Sequence, residues 1–257
     1  MLAAVLMLLI VFVGPANAAA VKIPIPEEVP TDQWLEVNDV RIRSVLLDKG
    51  NIFDTDKQGE RKSLYRIVNR LHFKTRDSTV ENQLLFNVGD TYSRRVLDES
   101  ERILRNNRYL YAANINPVNY DDGMVDIVVS TRDVWTLNLG ASASRSGGAN
   151  ESGFELEEQN LFGLGTKLSV DFTSDVDRDA IVFEYSDSHL ADSWIQLSVR
   201  LADRSDGDMF SLLLDRPFYS LDSRRAGGIE IMPDDRTDQF YELGVPVAAF
   251  QHERSFA

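Results

Sequence analysis

The residue types that carry most enzyme and metal chemistry are sparse in this sequence. Its 257 residues include no cysteine and three histidines, His72, His189 and His252. Thiolate catalysis, disulfides and Cys-based zinc sites are therefore excluded, and little is left for a His-based metal centre. There is no G-x-S-x-G stretch and no Ser/His pairing near a turn, so the signature of a nucleophilic hydrolase is missing. Two acidic groupings could hold a cation. Asp175, Asp177 and Asp179 have the spacing with which a calcium loop begins, but Ala180 replaces the required glycine and Ser186 the final glutamate. They read as a solvated turn. Glu155, Glu157 and Glu158 read as charge on the polar face of a strand. The expectation is a protein with no catalytic residue, no metal and no cofactor.

Charge and export signals narrow the setting. Asp and Glu number 41 against 27 Lys and Arg, a net charge of −14, which repels phosphate backbones; no nucleic-acid partner is expected. Residues 1–133 carry 17 basic and 19 acidic side chains, whereas residues 134–257 carry 10 and 22, so a domain boundary is expected near Val134. Residues 2–13 are almost wholly apolar and lead into Pro15-Ala16-Asn17-Ala18, an A-x-A arrangement acceptable to signal peptidase. Residues 1–18 are therefore expected to be a signal peptide, although no Lys or Arg precedes the apolar run. Residues 19–39, with Pro24, Pro26 and Pro30, are expected to form an extended linker.

Residues 40–133 mix two periodicities. Val40, Ile42, Val45 and Leu46 suggest a strand that Gly50-Asn51 ends, and Leu64, Ile67, Val68 and Leu71 recur at helical spacing. Ser78 and Glu81 form a capping-box pair ahead of a helical run over 80–86, and a further helix is expected after Ser93. Two strands, 111–120 and 124–131, flank the hairpin turn Asp121-Asp122-Gly123. The order predicts a small α+β module.

From Val134 onward, helical spacing gives way to period-two alternation. Trp135, Leu137, Leu139, Ala141 and Ala143 share one face; so do Leu168, Val170 and Phe172; so do Ile195, Leu197, Val199 and Leu201. Strands of about ten residues with one apolar and one polar face suit an antiparallel transmembrane β-barrel, and equally a soluble sandwich with the apolar face inward. Connections 145–151, 175–179, 203–208 and 233–238 are acidic and Gly-rich, whereas 161–165, 189–191 and 217–221 are apolar or aromatic. Two unlike ends favour a barrel meeting two aqueous compartments.

Two stretches carry a family resemblance. Leu85-Phe86-Asn87-Val88-Gly89-Asp90-Thr91-Tyr92, followed by Asp98-Glu99-Ser100-Glu101-Arg102-Ile103-Leu104-Arg105 and Arg108-Tyr109-Leu110, resembles a POTRA domain. Ser152-Gly153-Phe154-Glu155-Leu156-Glu157-Glu158-Gln159-Asn160-Leu161-Phe162-Gly163-Leu164-Gly165 is similar to the second strand and first periplasmic turn of the bacterial surface-antigen barrel. In that order they resemble the BamA/TamA superfamily of outer-membrane assembly and translocation proteins. The resemblance implies a POTRA-like domain over 40–133 and, over 134–257, about eight strands of a larger, 16-stranded barrel. The chain then reads as a fragment of an outer-membrane protein of a Gram-negative bacterium, its POTRA module in the periplasm.

The resemblance also implies roles. A POTRA edge strand, Ala112, Ala113, Asn114, Ile115, Asn116, Val118 and Tyr120, would receive an extended client peptide by β-augmentation. A weak barrel seam, Trp135, Leu137, Leu139, Gly140, Ala141 and Ala143, would template client strands entering lipid. Gly89, Asp90, Tyr92, Gly153, Asn160, Gly163 and Gly165 would be structural. Expected partners are unfolded outer-membrane or secreted client proteins, outer-membrane lipid and periplasmic accessory subunits, with no enzymatic activity. The alternatives are a dedicated two-partner secretion channel, an outer-membrane hydrolase and a soluble periplasmic binding protein.

Overall fold

The structure, a computed structural model, describes residues 29–53, 72–146, 149–243 and 245–255. The expected signal peptide, residues 19–28 of the expected linker and the helical spacing from Leu64 to Leu71 lie outside the described residues. Among those described, no helix is long and apolar enough to cross a membrane.

The N-terminal module runs α1 (Asp32–Val37), β1 (Arg41–Gly50), α2 (Asp77–Glu81), α3 (Arg94–Arg105), β2 (Leu110–Asp121) and β3 (Met124–Asp133). Among the described residues its three strands lie in the order β1-β3-β2, with β1 parallel and β2 antiparallel to β3. Asp122 and Gly123, both at positive φ (43° and 73°), make the hairpin turn. Ile115, Val125, Ile127 and Val129 meet Leu97 and Leu104 of α3 in one buried cluster. Each such side chain contributes about 1.5–3 kcal/mol by leaving water.

Three expectations change here. Within the linker expected over 19–39, residues 32–37 form a helix instead: Thr31 caps α1 through Trp34 N–H, and Leu35 is buried in the core. The short helix holds because its apolar residue enters the core, which the flanking prolines conceal. The helix expected over 80–86 is instead Asp77–Glu81, and Ser78 lies inside it rather than capping it. Arg76 is held extended as its backbone N–H donates to Gly163 O at 2.9 Å, which fixes the helix start. Past the end, the buried Gln83 amide turns inward to Thr79 O and the Tyr109 hydroxyl, both at 2.7 Å.

Gly89-Asp90-Thr91-Tyr92 fastens the module's edge. Gly89 N–H donates to Ile42 O at 2.8 Å, Ile42 N–H to Asp90 O at 2.9 Å, and Tyr92 N–H to Val40 O at 2.7 Å. The buried Tyr92 ring places its hydroxyl 2.5 Å from Asp32, tying the turn to α1. Gly89 supplies the positive φ of 93° that the turn requires.

The second unit is one antiparallel sheet of nine strands: β4 (Leu137–Ser146), β5 (Ala149–Glu158), β6 (Lys167–Ser174), β7 (Asp179–Asp187), β8 (Gln196–Arg204), β9 (Gly207–Arg216), β10 (Gly227–Ile231), β11 (Asp234–Glu242) and β12 (Val245–Arg254). Both β10 and β11 pair with β9, Ile231 opposite Leu212 and Asp234 opposite Met209, so they continue one line interrupted by Met232-Pro233. Residues 233–238, expected as a connection, therefore lie within a strand line. Proline lacks the N–H that the ladder needs, so it breaks pairing without turning the chain. Among the described residues the sheet is open, with β4 and β12 at its edges.

Register aligns the alternation into continuous rows. Leu139, Leu156, Val170, Phe183, Leu201 and Phe210 lie successively opposite one another from β4 to β9. Leu139, Phe154, Leu156, Phe172, Ile181, Phe183 and Leu201 are all exposed. The opposite face carries Asn138, Glu157, Ser169, Glu184 and Arg200. There Lys167 bridges Glu157 and Glu184 at 3.3 and 3.0 Å. A soluble sandwich would bury the apolar face; among the described residues it is exposed, as on a membrane barrel.

Candidate functional site

The two edges expected to receive strands differ in how their backbone is satisfied. On β2, alternate residues face away from β3, and α3 covers them. Glu101 accepts the N–H of Ile115 at 2.8 Å, Arg105 donates to Ala113 O at 2.9 Å, and Arg94 donates to Ile115 O at 3.2 Å. Arg105 also reaches Asn114 Oδ1 at 3.1 Å. By the same alternation Pro117 faces outward, placing a residue with no N–H at the edge. Ala112, Asn114, Asn116 and Val118 direct their backbone groups to β3. Tyr120 packs edge-on against Trp34.

On β4 the outward groups are left open. Gln159 N–H donates to Thr136 O, which sets the side facing β5 and turns Leu137, Leu139, Ala141 and Ala143 outward. Trp135, just ahead of the strand, donates its indole N–H to Leu137 O at 2.5 Å. Among the described residues, no group bonds the outward backbone of Leu139, Ala141 or Ala143. Gly140 pairs with Glu155, whose Cβ lies 3.3 Å from where a glycine Cβ would stand.

Between the two units lies a buried junction that sequence reasoning did not anticipate. Asp133, the last residue of β3, accepts from His72 Nε2 and Thr75 N–H, both at 2.9 Å, and from the Thr75 hydroxyl at 2.8 Å. Asn160, fully buried, donates to Thr75 Oγ1 at 2.9 Å and accepts Gly165 N–H at 2.7 Å. Gly163 O accepts from Arg76 N–H and the Thr79 hydroxyl, both at 2.9 Å. A Cβ on Gly163 would lie 2.2 Å from Lys74 O, and one on Gly165 2.8 Å from the Tyr109 hydroxyl. Burial pushes that phenol up to about 12. Gly153, by contrast, sits inside β5, where Ser142 Oγ would be 2.8 Å from a Cβ. The later connections reach the module too: Asn82 donates to Asp192 at 2.6 Å, Leu221 N–H to Glu99 at 2.5 Å, and Arg95 pairs with Asp222 at 2.7 Å. These long-range contacts leave no local sequence signal beyond the glycines.

The acidic turn satisfies itself. Asp175 Oδ1 accepts from Asp177 and Arg178 N–H at 2.8 and 2.9 Å, and Arg178 pairs with Asp206 and Asp238. No group of three or more His, Asp or Glu gathers to hold a metal among the described residues.

Residues 65–132 match the POTRA family, described as "Surface antigen variable number repeat". A protein of Treponema pallidum (strain Nichols), provisionally named an outer membrane protein assembly factor, is 28% identical over 122 residues. That match covers 44% of this chain and 14% of the relative, so the chain spans a small part of its length. BamA from Haemophilus ducreyi lacking POTRA domains 1–3 superposes with a TM-score of 0.50 at 12% identity, over 84% of this chain and 42% of that one, which shows the fold. CdiB from Acinetobacter baumannii gives 0.48 at 13% identity, over 82% and 40%.

Proposed function

Because this chain is BamA/TamA-like, with a POTRA module ahead of an outer-membrane-type sheet, we propose that it acts in the outer membrane in the assembly or translocation of other proteins. The β4 edge is the pairing site. The observation that carries this reading is the contrast between the edges: β2 is occupied by its own helix, whereas among the described residues β4 presents open backbone at Leu139, Ala141 and Ala143 on a sheet whose apolar face is exposed. In lipid each unsatisfied backbone group costs several kcal/mol, so such an edge drives pairing with an extended strand. The small Ala141, Ser142 and Ala143 add little cross-strand packing, which keeps any pairing exchangeable. Pairing and release need no reaction chemistry, cofactor or metal. The partners are unfolded client strands, outer-membrane lipid and periplasmic accessory subunits.

Site-specific photo-cross-linking in growing cells tests this. A benzophenone side chain at Ala141 is expected to capture strands of several outer-membrane client proteins, whereas the same probe at Leu156, inside the sheet, captures none. Capture of one secreted protein only identifies a dedicated secretion channel, and absence of client adducts at Ala141 sinks the pairing site.

A further inference from the structure

We propose that the connection after β9 forms a binding site for an anionic phospholipid headgroup at the module-side rim of the sheet. This rests on the apolar face meeting lipid, and on three further observations.

The first is charge. In the part of the chain that carries 10 basic and 22 acidic residues, Arg216, Arg224 and Arg225 fall within ten residues. Among the described residues none of the three forms an ion pair, although most other cations of the sheet do. Arg224 and Arg225 are exposed, and the nearby Asp222 is engaged by Arg95. The second is orientation. Arg216 alternates with Leu212 and Leu214, so it stands on the apolar face. Its guanidinium is fixed over the Tyr219 ring at 5.2 Å and donates to the Tyr219 hydroxyl at 3.0 Å. Tyr219 stacks on Trp194 with centroids 4.2 Å apart and planes 5° off parallel. Gly227 lies opposite Arg216 in register and has nothing within 4 Å of where its Cβ would be, so no side chain fills the space across from Arg216.

The third is position. Leu221 N–H bonds to Glu99 of α3, so this connection lies at the end of the sheet that touches the module, and the side chains of Phe218 and Leu221 are exposed. Aromatic rings that combine an apolar body with a polar tip settle at the membrane–water interface, and exposed arginines there attract anionic lipid. Acyl chains would continue along Leu212, Leu214, Ile229 and Ile231, while the phosphate meets Arg216, held ready by Tyr219.

The chain folded in detergent, with Trp34→Phe and Trp135→Phe leaving Trp194 as its only indole, is titrated with short-chain phosphatidylglycerol, phosphatidylcholine or inorganic phosphate. A saturable change in Trp194 emission is expected with phosphatidylglycerol, at concentrations about tenfold below those needed for phosphatidylcholine. Replacing all three arginines by glutamine should raise the half-saturating concentration about tenfold or more. Arg224→Gln with Arg225→Gln, which leaves the strand untouched, should raise it by a smaller factor, and the triple lysine variant should bind close to the parent. Equal response to both lipids, or an unchanged glutamine variant, overturns the site. An equal response to inorganic phosphate overturns the lipid assignment. Client capture at Ala141 is measured separately, so either result can fail without the other.

Discussion

The carboxylate of Glu101, on helix α3, accepts the backbone N–H of Ile115, in the middle of edge strand β2, at 2.8 Å. An uncovered edge is a template for any extended chain, and side-chain caps are one way to close it. Here Arg105 and Arg94 close the neighbouring carbonyls and Pro117 removes a further donor. A client peptide could augment β2 only by displacing these bonds. Among the described residues the β4 edge has one comparable cap, the Trp135 indole on Leu137 O. The module thus keeps its sheet to itself while the larger sheet leaves an edge open.

Removing the caps should expose β2. Glu101→Ala leaves a part-buried N–H unpaired and should cost about 1–3 kcal/mol, read by denaturant unfolding of the chain. With Arg105→Ala added, a strand peptide titrated into labelled protein should shift the amides of Ala113 and Ile115 more strongly than in the parent. Equal shifts in parent and double variant would show that the caps do not guard the edge.

The junction should fail at particular atoms. Asp133→Ala removes the acceptor for His72, Thr75 N–H and the Thr75 hydroxyl in a buried site and should cost about 3–5 kcal/mol. Gly163→Ala and Gly89→Ala both place a side chain at positive φ, at about 1–2 kcal/mol for the backbone alone. At Gly89 the Cβ meets open space, whereas at Gly163 it meets Lys74 O. Protease cleavage between the units should therefore accelerate in Gly163→Ala and hardly change in Gly89→Ala; equal rates would remove the junction's claim to hold the units together.

Acid should loosen the module through Asp126. A bidentate bond from Arg43 at 2.9 and 2.7 Å, with Ser44 at 2.6 Å, lowers its carboxyl to about 2. The folded value lies below the unfolded value of about 4, so the contribution is fully present above pH 4 and is lost as pH falls through about 2. Asp126→Asn should be less stable than the parent at pH 7 and approach it near pH 2. A constant gap between the two unfolding curves would refute the assignment.

Period-two alternation made the larger sheet legible because the side-chain repeat of a strand is visible within a few residues. The same alternation does not separate a turn from a strand at 233–238, since Pro233 and the flanking aspartates look alike whether the chain reverses or continues past a break. Ser78 and Glu81 have capping spacing, but Gly163, 85 residues away from Ser78, decides where that helix starts. The bond from Ile115 N–H to Glu101 leaves no local signal in the sequence, because only the packing of α3 on β2 brings the two together. The family resemblance implies a structural role for Asn160, Gly163 and Gly165, while their contacts with Thr75, Lys74 and Tyr109 exist only in three dimensions.

Orientation across the membrane can be checked without knowing a client. The connections at 160–166, 188–195 and 217–226 each touch the module through Thr75, Asn82 and Glu99, so that end should face the periplasm with it. Asp177 and Leu243 lie in turns at the opposite end, and both are exposed. The chain has no cysteine, so single thiols can be placed without background. In intact cells a membrane-impermeant maleimide should label Asp177→Cys and Leu243→Cys but not Leu164→Cys or Phe218→Cys, whose side chains are exposed at the module end. All four should label after the outer membrane is permeabilised. Labelling of Leu164→Cys and Phe218→Cys alone in intact cells would invert the topology, and labelling of none until permeabilisation would place the whole chain in the periplasm as a soluble protein.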